Sequence, residues 1–102
     1  MPERTQLTQE DEALRRARLD KHARAVLLDI AHDLTDVKPW QRAARQVRSK
    51  QPLATAVRLN GRGPYADNVA EAAKALMPTI TEDITRGEYA LILRRAAGKV
   101  DA

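Results

Sequence analysis

The chain has no cysteine, no phenylalanine and only three aromatic residues, one Trp and two Tyr, among 102 residues. Each scarcity removes a class. Without thiols there is no disulfide framework, no thiolate metal site and no cysteine nucleophile. Gly 4 and Pro 5 beside 31% charged residues are too ordered a mixture for a low-complexity linker or a collagen-like chain. No stretch approaches the roughly 20 apolar residues that span a bilayer, and the opening residues 1–12 lack the apolar centre of a secretory signal. A soluble, cytoplasmic protein that does not engage a membrane is the expectation.

Alanine is what the sequence has in plenty. The apolar 43% of the chain includes 18 Ala, against 11 Leu, 6 Val, 4 Ile and 2 Met. The core must therefore be built from short aliphatic side chains, and a chain of this length fits one small domain. Apolar residues recur at spacings of three and four and hardly ever alternate, while β-branched residues are mostly scattered. The expectation is an all-α fold: a flexible tail over residues 1–7, then a single domain of about five helices over 8–102, with a long first helix packed on shorter ones.

The first helix is expected to start near Thr8, with Asp11 completing an approximate capping box, and to run to about Leu34. Its buried stripe reads Leu19, Ala23, Val26, Leu27, Ile30, Ala31 and Leu34. Its first half has only Ala13, Leu14 and Ala17, supported by the acid-before-base pairs Asp11–Arg15 and Glu12–Arg16, with Asp20–Arg24 following. Such pairs hold a helix that packs on nothing, or only on a partner. A second helix, with Pro39 in its first turn, is expected to turn Trp40, Ala43, Ala44 and Val47 inward and to set Arg42, Arg45 and Arg48 in a row outside. Pro52 opens a third helix burying Leu53, Ala56 and Val57, which Asn60-Gly61-Arg62-Gly63-Pro64 ends. A fourth begins at about Asp67 as N-cap and buries Val69, Ala72, Ala73 and Leu76 before Pro78. The string Thr85-Arg86-Gly87-Glu88 fits the capping box of a last helix that buries Tyr89, Ile92, Leu93, Ala96 and Val100, with Arg94, Arg95 and Lys99 near its end.

Catalytic templates find little to rest on. His32-Asp33, following an apolar run, resembles the metal-binding His-Asp pair of helical phosphohydrolases, which would imply a divalent metal at that helix. The resemblance covers two residues. The other histidine, His22, lies about 80° around the helix, so no further imidazole converges, and Asp29, Asp33 and Asp36 beside His32 offer at most a weak cation site. Gly61-Arg62-Gly63 lacks the strand and the Lys-Ser/Thr ending of a phosphate loop, and no serine or threonine sits in a nucleophile elbow. No enzyme, no cofactor and no metal are expected. A helix-turn-helix over residues 68–95 is disfavoured by its long Met77-Pro78 connection and by Glu82, Asp83 and Glu88 at the start of the second helix.

Charge is distributed more tellingly. Residues 1–36 hold six Lys/Arg and eight Asp/Glu, and residues 67–102 hold five and six. Between them Lys38, Arg42, Arg45, Arg48, Lys50, Arg58 and Arg62 stand with no acidic residue, so the middle of the chain carries the whole basic excess behind the net +4. Seven cations without a local carboxylate attract polyanions, and arginine suits bidentate phosphate contacts. A non-enzymatic nucleic-acid-binding protein, holding DNA or RNA by its phosphate backbone through these seven residues, is the first expectation. The alternative is a small helical adaptor or regulatory subunit that meets an acidic protein partner or a second copy of itself. Among the aromatics, Trp40 and Tyr89 are expected in the core, and Tyr65, beside the Gly-Arg-Gly-Pro turn, is the candidate to stack on a base or to sit half-buried at a helix start. The general make-up, basic and all-helical with an Asn-Gly break and a late Glu88-Tyr89 helix, resembles in type the small helical subunits of RNA-guided CRISPR effector complexes, an analogy that transfers no residue.

Overall fold

In the computed structural model residues 8–98 are described, and the expected tail over 1–7, Lys99 and Val100 lie outside them. Five helices follow in order: α1 (Gln9–Asp36), α2 (Gln46–Ser49), α3 (Gln51–Asn60), α4 (Pro64–Leu76) and α5 (Arg86–Gly98). The described residues form no strand, only an isolated antiparallel bridge between Arg42 and Thr85. The fold is all-α. The long α1 packs against α3, α4 and α5, while α3 also packs on α4 and the single-turn α2 on α3.

The N-terminus of α1 forms as its sequence suggests, with the Asp11 N–H donating to Thr8 Oγ1 at 3.0 Å. From Ala23 onward the stripe Ala23, Val26, Leu27, Ile30, Ala31 and Leu34 is buried. Before Leu19 every described residue is exposed, and Leu14 keeps 70% of its surface. The first three turns thus leave the packed body. The Asp20–Arg24 pair, 3.0 Å apart, stands where the packed part begins.

Around α1 the core takes Ala43 and Val47, Ala56 of α3, Ala66, Val69, Ala70 and Ala73 of α4, Met77, and Tyr89, Ala90, Leu93 and Ala97 of α5. Half of the buried apolar residues are alanines, which let helix axes approach closely. Tyr89 is the largest fully buried side chain. Its hydroxyl donates to the Pro78 carbonyl at 2.6 Å, tying α5 to the end of α4, and burial raises its pKa to about 12 although the Arg48 charge pulls it down.

Several boundaries and faces differ from expectation. Pro64 rather than Asp67 begins α4, with Gly63 as N-cap and Asp67 in the first turn, where a carboxylate meets the positive end of the helix dipole. The inward face of α4 is Ala66, Val69, Ala70 and Ala73, with Ala72 and Leu76 half-buried beside it. In α3 Pro52, Thr55 and Ala56 are buried, whereas Leu53 is 46% exposed and Val57 half-buried. On α5 Ala90 and Ala97 take the buried places expected for Ile92 and Ala96. Gly61, at φ 84°, ends α3 in the left-handed region as the Asn-Gly signal implies.

The largest correction concerns the second helix. Only Gln46–Ser49 is helical, and residues 37–45 run as an irregular segment. Trp40 is 73% exposed and Ala44 is exposed, so neither faces the core. The reason lies at the start of α5, where four N–H groups need acceptors that the helix itself cannot supply. Thr85 and Glu88 satisfy two by a reciprocal capping box, the Thr85 N–H donating to Glu88 Oε1 at 2.9 Å and the Glu88 N–H to Thr85 Oγ1 at 3.1 Å. The other two come from the distant segment: the Arg86 N–H donates to the Gln41 carbonyl at 2.7 Å and the Gly87 N–H to the Pro39 carbonyl at 2.8 Å. In return the Ala43 N–H donates to the Ile84 carbonyl at 2.9 Å. Backbone groups that complete α5 in this way are not free to close a helix of their own.

Candidate nucleic-acid interface

The segment 37–45 lies tightly on α5. A Cβ placed on Gly87 would sit 3.3 Å from both the Cβ and the carbonyl oxygen of Pro39, so the absence of a side chain there permits the contact. Arg86 adds a side-chain tie, its Nε donating to the Val37 carbonyl at 2.8 Å. Lys38 takes φ 47°, a conformation that costs a non-glycine residue roughly 1 kcal/mol and that these bonds on either side maintain.

The seven cations of the basic window do not form one row. Lys38, Arg42 and Arg45 are exposed on the irregular segment, and Lys50 is exposed between α2 and α3. Arg42 and Arg45 line one depression together with Ala43, Ile80, Thr81 and Glu82, so a single carboxylate shares that rim. Arg62 is exposed in the turn between α3 and α4, at a separate groove lined also by Leu53, Val57, Pro64 and Asp67. Two members are committed to partners within the fold, although Arg58 is itself exposed. Arg48 is half-buried on α2, its Nε donating to the Met77 carbonyl at 2.9 Å, and Arg58 on α3 is paired with Asp29 of α1. The other five make no ion pair with a described residue.

Of the three aromatic residues, Tyr89 lies in the core and Tyr65 is half-buried at the start of α4, as expected, while Trp40 does not face inward. Tyr65 is half-buried and bound to α1: its hydroxyl is 2.6 Å from His22 Nδ1, and the two rings meet edge to face at 5.5 Å. The Arg18 guanidinium lies 5.7 Å from the same ring centre. Trp40 stands exposed between Lys38 and Arg42. Its place at helical spacing with Ala43, Ala44 and Val47 concealed this; the only hint in the sequence is a proline immediately before it.

The acidic residues near His32 do not converge. Asp29, half-buried, turns to Arg58, and Asp36 lies 3.6 Å from His32 Nε2 in an exposed pair at the end of α1. Among the described residues no group of three or more His, Cys, Asp or Glu side chains could hold a metal ion. Between α4 and α5, residues 77–85 form a long connection, and the Pro39 and Gln41 carbonyls bind the N–H groups at the start of α5. No helix of the described residues is long and apolar enough to cross a membrane.

No family model matches the chain. No curated protein and no solved structure is significantly similar to it either. Any functional reading therefore stands on the site itself.

Proposed function

We propose that this is a cytoplasmic, non-enzymatic nucleic-acid-binding protein that holds a phosphate backbone with little base specificity. Lys38, Arg42, Arg45, Lys50 and Arg62 make the contacts, and Arg48 and Arg58 serve the fold. One observation carries the reading: five cations from an acid-free stretch of thirty residues remain exposed and unpaired by any described carboxylate. Such a set is free to meet an outside polyanion, and phosphate oxygens suit its arginines and lysines. Fluorescence anisotropy with duplex DNA, single-stranded DNA and RNA tests it. With three to five phosphates engaged, log K falls against log salt with a slope of about −2 to −4.5. Absence of binding to all three at low salt overturns the proposal.

A second reading, an adaptor that docks on a partner or on its own copy, rests on a different observation. The exposed turns of α1 place Glu10, Asp11 and Glu12 before Leu14, and Arg15, Arg16 and Arg18 after it. Two such helices side by side and antiparallel would set acid against base on both sides of paired leucines. Light scattering after size exclusion distinguishes this from a monomer, and a monomer that captures no partner rejects it.

A further inference from the structure

We infer that the nucleic acid is single-stranded and that Trp40 stacks on one of its bases. This rests on the phosphate-binding reading above and adds to it the class of strand and the residue that selects it.

Trp40 is the only tryptophan of the chain and keeps 73% of its surface exposed. In a protein so poor in large apolar side chains, leaving the largest outside forgoes a substantial gain from burial. The indole is nonetheless not on a loose loop. The carbonyls of both its neighbours accept from α5, Pro39 from the Gly87 N–H and Gln41 from the Arg86 N–H, and the Gln41 N–H donates to the Lys38 carbonyl at 3.0 Å. A flat aromatic surface on a fixed backbone costs little further order when a ring is laid on it.

The flanking charges indicate what that ring belongs to. Lys38, Arg42 and Arg45 stand around Trp40 in sequence with no acidic residue from 37 to 66, and all three are exposed. Aromatic platforms beside backbone-tracking cations are the means by which proteins hold unpaired nucleotides, because every base has a face to stack. A duplex covers those faces with neighbouring base pairs. Preference for a single strand follows from the stacking surface, while the cations alone would hold either form.

The single tryptophan provides its own reporter. An unlabelled 12-nucleotide single strand is titrated while Trp40 emission is followed, in parallel with a blunt duplex of the same sequence and with vesicles of phosphatidylcholine and phosphatidylserine. Stacking quenches the emission with the single strand. By anisotropy Trp40→Ala weakens single-strand binding by about 5- to 100-fold and leaves duplex binding unchanged, while Trp40→Phe retains much of it. Helical circular dichroism of both variants confirms that the fold persists. Equal loss with both strand forms, or single-strand binding with unchanged Trp40 emission, overturns this inference and leaves the phosphate-binding reading standing. A blue shift on vesicles without a response to oligonucleotides, or no binding to any oligonucleotide, overturns both.

Discussion

Between Val37 and Arg45 the cations Lys38, Arg42 and Arg45 are exposed, whereas between Gln46 and Asn60 two of three, Arg48 and Arg58, are turned to partners within the fold. The two stretches are equally free of acid. What separates them is backbone. The first spends the Pro39 and Gln41 carbonyls on the start of α5 and is held as an irregular strip with its basic side chains outside. The second is helical and packs on α1 and α4, so its long basic side chains reach the Met77 carbonyl and Asp29. A run of positive charge is thus a surface in one place and a set of structural ties in the next.

The strongest way to break this contrast is to reverse charge on the exposed side. Arg42→Glu with Arg45→Glu should weaken oligonucleotide binding roughly 100-fold or more, since two charge-assisted contacts are lost and two repulsions gained. Because both side chains are exposed and unpaired, the thermal midpoint should hardly move. A large fall in the midpoint with binding intact would place these arginines among the structural ties instead.

The helical side is probed at high pH. Tyr89, pushed up to about 12 from a model-peptide value of 10, stays protonated in the fold after the unfolded chain has begun to ionise. Its contribution is complete below pH 10 and is lost as pH rises through 12, a fall of about 2–3 kcal/mol. Denaturant titrations between pH 9 and 12 should show that fall, and Tyr89→Phe should remove the slope. Arg48→Ala should cost about 1–2 kcal/mol by leaving the Met77 carbonyl without its charged donor, measured as a lower urea midpoint. It should also steepen the alkaline loss, because the Arg48 charge is what holds the Tyr89 pKa down.

The smallest effect tests the seam between the two stretches and α5. Alanine for glycine inside a helix ordinarily stabilises by up to ~1 kcal/mol. At Gly87 the added methyl meets Pro39 at 3.3 Å, including the very carbonyl that accepts the Gly87 N–H, so Gly87→Ala should instead destabilise by about 1 kcal/mol. Stabilisation in a thermal melt would mean that the segment shifts freely on α5.

Much of this protein was legible in local chemistry. Helical periodicity, the Thr8 and Thr85 caps and the Gly61 stop depend on residues within four positions of one another, and they settled the helical class, the buried stripe of α1 and the start of α5. The exposed turns before Leu19 were legible too, because a face with one leucine has too little to bury. The acid-free window announced where the positive charge lies along the chain. Its arrangement in space was decided by contacts across about 45 residues: unsatisfied N–H groups at the start of α5 found acceptors on Pro39 and Gln41, and that claim outweighed the helical spacing of Trp40, Ala43, Ala44 and Val47. The same long-range bonding exposed Trp40, while His22 held Tyr65 against α1. Side-chain spacing determines which residues share a face, but only the tertiary structure decides which backbone groups remain to be satisfied and by whom.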